Sequence, residues 1–343
     1  MSRCLEISIS RAHVKNAFFV FFMLLTSCLG REGLMIKTSS YIIDVGEAQQ
    51  WMVENTNWTL FEISKPSKYT EGHIAGAHRL WREDYSNQTD YEFGGMRASK
   101  KQLEDLLGKY GVGSRTKILL YDTKGNVDAA RFAWQLELFG FTNFLLINGG
   151  KEGWKQTNLP LTKAETNLPK SKVFSFKDQP ENQSLIASKE EVLNGITDGK
   201  VIIVDTREDY EFIGAPFIKQ GKIHSFKKGA FDRGAIPSAI HYNWSNMVDL
   251  SFDHKIKNKE SIQYDLQKAG IDPNKKIIVY CQSGVRSAHT SFVLRHILGY
   301  SNVKNYDGSW IEWSYEAKNG LENPPILKQI SEDDFQQLYK DLE

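Results

Sequence analysis

The chain has 343 residues, and its 43 basic and 42 acidic side chains leave a formal charge of +1. That balance offers no basic stripe to track phosphates and speaks against a nucleic-acid partner. An apolar content of 41% with 12% aromatics supports a sizeable core, and the length suggests two domains of ordinary size.

Arg3, Arg11 and Lys15 precede an apolar run from Ala17 to Leu25. The run is far shorter than the ~20 residues a spanning helix needs, and it suits the apolar stretch of a signal peptide. Leu25-Thr26-Ser27-Cys28 follows directly and resembles the lipobox of bacterial lipoproteins. The resemblance implies a signal peptide over 1–27, lipid on Cys28, export, and a membrane anchor on the periplasmic side. An ordinary signal peptide or an uncleaved anchor is the alternative. On the lipoprotein reading Cys4 leaves with the signal and Cys28 carries lipid, so Cys281 is the lone thiol and has no partner for an internal disulfide.

The remainder reads as two copies of one plan. Gly111–Asp122 matches Gly270–Cys281, and Gly140–Trp154 matches Gly299–Trp313, at one constant offset. Thr59–Trp81 corresponds to parts of Val201–Trp244, where the second copy carries an insertion, Ala215 to Arg233. Short apolar runs such as Val201–Asp205, Lys276–Cys281 and the segment around Val303 read as strands buried on both faces. Capping-box spacings start helices at Ser99 with Gln102 and at Ser188 with Glu191. Strand–helix alternation predicts an α/β fold in which each copy is a mostly parallel sheet covered by helices on both faces. The expected boundaries are a first domain over 28–162, a linker over 163–183, a second domain over 184–323, and a tail with a short outer helix over 324–343.

In parallel sheets ligands gather beyond the carboxyl ends of strands, where Cys281 and Asp205 fall. The loop Cys281-Gln282-Ser283-Gly284-Val285-Arg286-Ser287 joins a strand end to a helix that is expected to start just after it. Gly284 permits a turn that other residues resist. Converging amides, the helix N-terminus and the Arg286 guanidinium all favour a thiolate.

Both halves resemble rhodanese domains, and the whole is similar to a tandem-domain rhodanese-family sulfurtransferase of the thiosulfate type. The resemblance rests on Asp205–Phe212, on Gly234–Trp244, where Ala235 and Ser238 replace the usual His and Gly, and on Cys281–Ser287. In the first half it rests on Glu71–Ala77 and Asn148–Trp154. It implies that the Cys281 thiolate takes the outer sulfur of thiosulfate and passes it as a persulfide to cyanide or a thiol. Gln282, Ser283, Gly284, Val285 and Ser287 would cradle that sulfur. Arg286 would act with Cys281 and dock the donor, and Arg207 would stand near the donor. Asp205 is read as structural, forming an ion pair with Arg207 under the site. No metal or organic cofactor is implied, and the chain is expected to be a monomer.

Asp122 occupies the position of Cys281 in the first half, so that copy is expected to be inactive, and Asp128 would repel an anionic donor. Glu211 stands where many tandem members carry a basic residue. Lys219, Lys222, Lys227, Lys228 and Arg233 of the insertion could form a rim for anions, or simply a solvated loop. Trp244, Trp310 and Trp313 could wall a pocket or fill the core, and His241 and His289 carry no assigned role. Alternative readings are a mercaptopyruvate sulfurtransferase and a non-catalytic persulfide-carrying or partner-binding lipoprotein. A Cdc25-like phosphatase shares this fold, but its loop has one more residue before the arginine than separates Cys281 from Arg286.

Overall fold

The computed structural model describes residues 41–320 and 323–342. The expected signal peptide and the lipidated Cys28 lie outside the described residues.

The first half builds five strands, β1 (Ile42–Ile43), β2 (Trp58–Ile63), β3 (Ala77–Leu80), β4 (Lys117–Asp122) and β5 (Phe144–Ile147), in the order β1-β5-β4-β2-β3. The second half has β6 (Ile186–Ala187), β7 (Val201–Asp205), the hairpin pair β8 (Phe217–Lys219) and β9 (Lys222–His224), then β10 (Ile240–His241), β11 (Lys276–Tyr280) and β12 (Val303–Tyr306). Its main sheet runs β10-β7-β11-β12-β6, the same order as the first once equivalent strands are matched, and every pairing in both sheets is parallel. The continuous apolar runs of β4 and β11 need cover on both faces, and past the first residue of each every position is buried. Both capping boxes form: the hydroxyls of Ser99 and Ser188 accept from the N–H of Gln102 and Glu191.

Two helices pack the halves together. Val127–Leu138 follows β4, Val285–Phe292 follows β11, and they lie against each other with every residue buried. Ala288 and Phe292 extend the apolar cluster of the first half, alongside Phe132, Ala133 and Leu136. Each side chain of Phe or Leu size removed from water there contributes roughly 1.5–3 kcal/mol. The loops that launch these helices are thereby held close to the domain boundary.

The stretch between the halves is fastened down. The Lys172 N–H donates to the Gly108 carbonyl, and Phe174 and Phe176 are buried edge to face in the first core. The tail also docks. Leu327 bridges to Ala235, and the helix Glu332–Asp341 buries Phe335 beneath Arg233. The insertion in the second half folds as the antiparallel β8–β9 hairpin. Among the described residues no helix is long and apolar enough to cross a membrane.

Candidate active site

Strand β11 ends at Tyr280 and delivers Cys281 to its carboxyl edge. Gly284 turns the chain at φ 72° and caps the helix that starts at Val285. The helix therefore begins earlier than the sequence suggested, and Arg286 and Ser287 already sit in its first turn. The reason is the left-handed Gly284 conformation, which completes the turn in a single residue.

The Cys281 sulfur lies 3.5 Å from the Ser287 hydroxyl, and the backbone N–H groups of Ser283 and Ser287 also point at it. Burial pushes the thiol up. The Arg286 charge and these three donors outweigh that and hold it below the usual thiol value. Cys281 is 1% exposed, so a donor has to enter a nearly closed site.

The loop is pinned by a residue that sequence reasoning missed. Ser309 Oγ accepts from the N–H of Cys281 at 3.2 Å and of Gly284 at 3.0 Å, and donates to the Tyr306 carbonyl at 2.7 Å. The N–H groups of Trp310 and Ile311 bind the carbonyls of Cys281 and Gln282, both at 3.0 Å. The available signal is the Asp-Gly-Ser-Trp turn after β12, part of the repeated segment Gly299–Trp313.

Arg286 is placed differently from the expected docking role. Its fork is taken by Glu211 at 2.5 and 2.9 Å, and Glu208 lies 3.6 Å away. Burial would raise the Glu211 carboxyl, but the hydrogen bonds and charge of Arg286 bring it down to about 2. Arg286 thus acts on the sulfur through its charge, while both terminal nitrogens of its guanidinium are engaged by Glu211. Lys227 of the insertion lies 3.4 Å from Glu211 and is within electrostatic reach of Cys281. Arg233 is spoken for by Glu332 at 2.8 Å, while Lys219 and Lys222 face each other across the hairpin.

Asp205 and Arg207 form a buried pair at 2.6 Å. Tyr280 donates its hydroxyl to Asp205, Arg207 reaches the Gly234 carbonyl at 2.8 Å, and its guanidinium lies 4.6 Å from the Trp310 ring centre. The pair is buried, and Arg207 borders the cavity beside the loop while its Nε and Nη2 are engaged by Asp205 and Gly234. A small cavity of about 10 Å³, bordered by Tyr210, Phe217, Phe226, Gln282 and Trp310, opens beside the loop. Trp244 and Trp313 are core, and His241 bonds the Arg207 carbonyl at 2.9 Å while stacking on Phe212. His289 is fully buried, with Trp244 edge-on at 5.4 Å.

The first half repeats this loop with a carboxylate in it. Asp122 accepts from the N–H groups of Lys124 at 2.7 Å, Asn126 at 2.8 Å and Asp128 at 2.7 Å. The ring that faces sulfur in one half is filled by a side-chain carboxylate in the other. Burial and then the neighbouring Asp128 push the Asp122 carboxyl up to about 6, against the pull of those amides. Asp128 itself pairs with Arg82 at 2.7 Å.

Two matching parallel α/β domains, one with a cysteine and one with an aspartate in equivalent strand-end loops, define a tandem α/β protein with a single candidate nucleophile among the described residues. The family described as Rhodanese-like domain matches residues 44–157 and 188–316. The chain belongs to the rhodanese family and carries two rhodanese-like domains. It is 31% identical over 256 residues to the thiosulfate sulfurtransferase of Corynebacterium glutamicum, covering 74% of this chain and 81% of that protein. It is 30% identical over 303 residues to the sulfur carrier protein TtuD of Thermus thermophilus, covering 83% and 99%. A solved structure of the anaerobic ergothioneine biosynthesis enzyme from Chlorobium limicola superposes with TM-score 0.69 at 18% identity, covering 85% of this chain and 71% of that one, and shares the fold. These relatives support sulfurtransferase chemistry.

Proposed function

We propose that this protein moves sulfane sulfur from thiosulfate, or a closely related anion, to a thiol or cyanide through a persulfide on Cys281. The observation that carries the reading is the Cys281 sulfur met by the Ser287 hydroxyl and the Ser283 and Ser287 amides, with Arg286 charge behind them. The thiolate attacks the outer sulfur of thiosulfate. The S–S bond of the donor breaks, its electron pair leaves with sulfite, and Cys281–S–S⁻ remains. The amide ring stabilises the terminal sulfur anion as it stabilised the thiolate. A thiolate or cyanide then attacks that sulfur and regenerates the Cys281 thiolate, a two-step transfer with one covalent intermediate. The chemistry calls for no metal or organic cofactor. Asp122 has no sulfur to offer, so the first domain takes no part in the transfer itself.

With Arg286 held by Glu211, Lys227 is the better placed cation to meet the donor's sulfonate. The loop, with one residue fewer before Arg286 than a Cdc25-like phosphatase has, favours sulfur over a phosphoryl group. The TtuD likeness supports a second outcome, in which the persulfide is handed to a protein or small thiol rather than turned over rapidly. We further propose export and anchoring through Cys28, with the folded part a monomer. A Cys28→Ala chain recovered from membranes as fully as the native chain would remove the anchor.

Mass spectrometry of the protein after exposure to thiosulfate tests the central reading. One added sulfur on the Cys281 peptide is expected, discharged by cyanide as thiocyanate. Cys281→Ser should take up none, while Asp122→Ala should load normally. Sulfur transfer retained in the serine variant would overturn the assignment.

A further inference from the structure

The catalytic loop has an outer wall, and the first domain supplies it. Arg131 belongs to the first-domain helix Val127–Leu138, and its side chain is 2% exposed. One guanidinium nitrogen donates to the Gly284 carbonyl in the catalytic loop at 3.4 Å. The other donates to the Gly95 carbonyl at 3.2 Å and to Asp307 at 2.5 Å. Asn305 reaches the same Gly284 carbonyl at 3.3 Å. Asp307 in turn accepts from the Arg97 N–H and guanidinium, both at 3.2 Å, and Arg97 forks onto Glu181. Gly95 is pressed against the loop: a Cβ there would stand 2.8 Å from the Ser283 Cβ.

A trans peptide points its C=O and N–H in opposite directions. Holding the Gly284 carbonyl outward toward Arg131 therefore commits the Val285 N–H to the loop's inner side. Gly284, at φ 72°, resists a flip of that peptide less than any other residue would. The Ala288 N–H at 3.2 Å, the first bond of the helix, and the Asn305 amide hold this carbonyl from within the second domain, and the guanidinium fork adds a hold from the first domain that also spans Gly95 and Asp307.

We propose that Arg131 is a positioning residue for the transfer reaction, keeping the Gly284–Val285 peptide turned so that the ring presents its full set of donors to the sulfur. The first domain is then a working part of the second domain's site, although it holds no nucleophile. The proposal rests on the persulfide reading of Cys281.

The test uses the full chain with Arg131→Met and Arg131→Lys. The lysine variant keeps a charge opposite Asp307 and protects the fold, but a single ammonium held there loses the fork onto Gly284. Cys281 alkylation by iodoacetamide is followed against pH by peptide mass mapping, beside steady-state sulfur transfer from thiosulfate and a thermal melt. In both variants the alkylation midpoint should rise by about one pH unit, and kcat should fall about tenfold or more while the donor KM changes much less. A folded lysine variant with the native midpoint and native kcat would overturn the proposal, whatever the methionine variant does. A native chain that takes no sulfur from thiosulfate would remove the parent reading, and the alkylation comparison would still decide the role of Arg131.

Discussion

Arg286 and Glu211 form a two-pronged ion pair at 2.5 and 2.9 Å, one residue from the active loop and the other from the segment before the hairpin. Both are buried, so removing one partner leaves an uncompensated charge. Arg286→Ala is expected to cost roughly 3–5 kcal/mol of stability and to raise the Cys281 alkylation midpoint. Arg286→Ala/Glu211→Ala should be more stable than the sum of the two single changes, yet still slow in sulfur transfer. Chemical denaturation of the four proteins in a double-mutant cycle measures the coupling, and additive losses would mean that the pair is not energetically joined.

Lys227 shares the Glu211 carboxylate with Arg286 at 3.4 Å and lies within electrostatic reach of the Cys281 sulfur. Lys227→Gln should raise the thiosulfate KM severalfold at low salt and change kcat less. The difference from the native protein should shrink as ionic strength rises. Initial rates across a salt series check this, and a KM unaffected at low salt would return donor docking to another group.

Ser309 offers its hydroxyl to two loop amides at once. Ser309→Ala leaves the Cys281 and Gly284 N–H groups buried without that acceptor, at about 1–3 kcal/mol each. A lower melting temperature and a Cys281 alkylation midpoint shifted upward should appear together. A destabilised variant with an unshifted midpoint would confine Ser309 to stability.

His289 gives the fold a pH dependence. Burial is the main cause that pulls its imidazole from 6.5 down to about 4, only partly offset by the Gly125 backbone. The unfolded chain therefore binds a proton that the folded one refuses between those values. Stability is fully present above pH 6.5 and is lost as pH falls toward 4, by about 2 kcal/mol at pH 5. His289→Leu should flatten the stability difference between pH 7 and pH 5, measured by denaturant titration at each pH. An equal difference in both proteins would assign the acid sensitivity elsewhere.

Much of this was legible in the sequence because the signals were local and repeated. The apolar runs gave β7, β11 and β12, the Ser-to-Gln and Ser-to-Glu spacings gave two helix starts, and the constant offset gave the two halves. Cys281 stood out as a thiol at a strand end before a glycine and an arginine. What stayed hidden was what other elements bring to the loop. Glu211 is visible as a charge, but its pairing with Arg286 requires β7 and β11 to be neighbours. Ser309 and Arg131 reach the loop from a later turn and from the other domain, and no spacing rule encodes such long-range contacts. Buried side chains with paired charges look in sequence like solvated ones, which is why Arg233 resembled part of a rim.

The aspartate seated in the first domain's amide ring makes that half a standing image of the charged intermediate. Its backbone never empties, whereas the sister ring must accept and surrender an anionic sulfur in every cycle. Hydrogen exchange at Lys124, Asn126 and Asp128 should therefore ignore sulfur donors while Ser283 and Ser287 respond to them, so that one polypeptide carries both the responsive loop and its own unvarying yardstick.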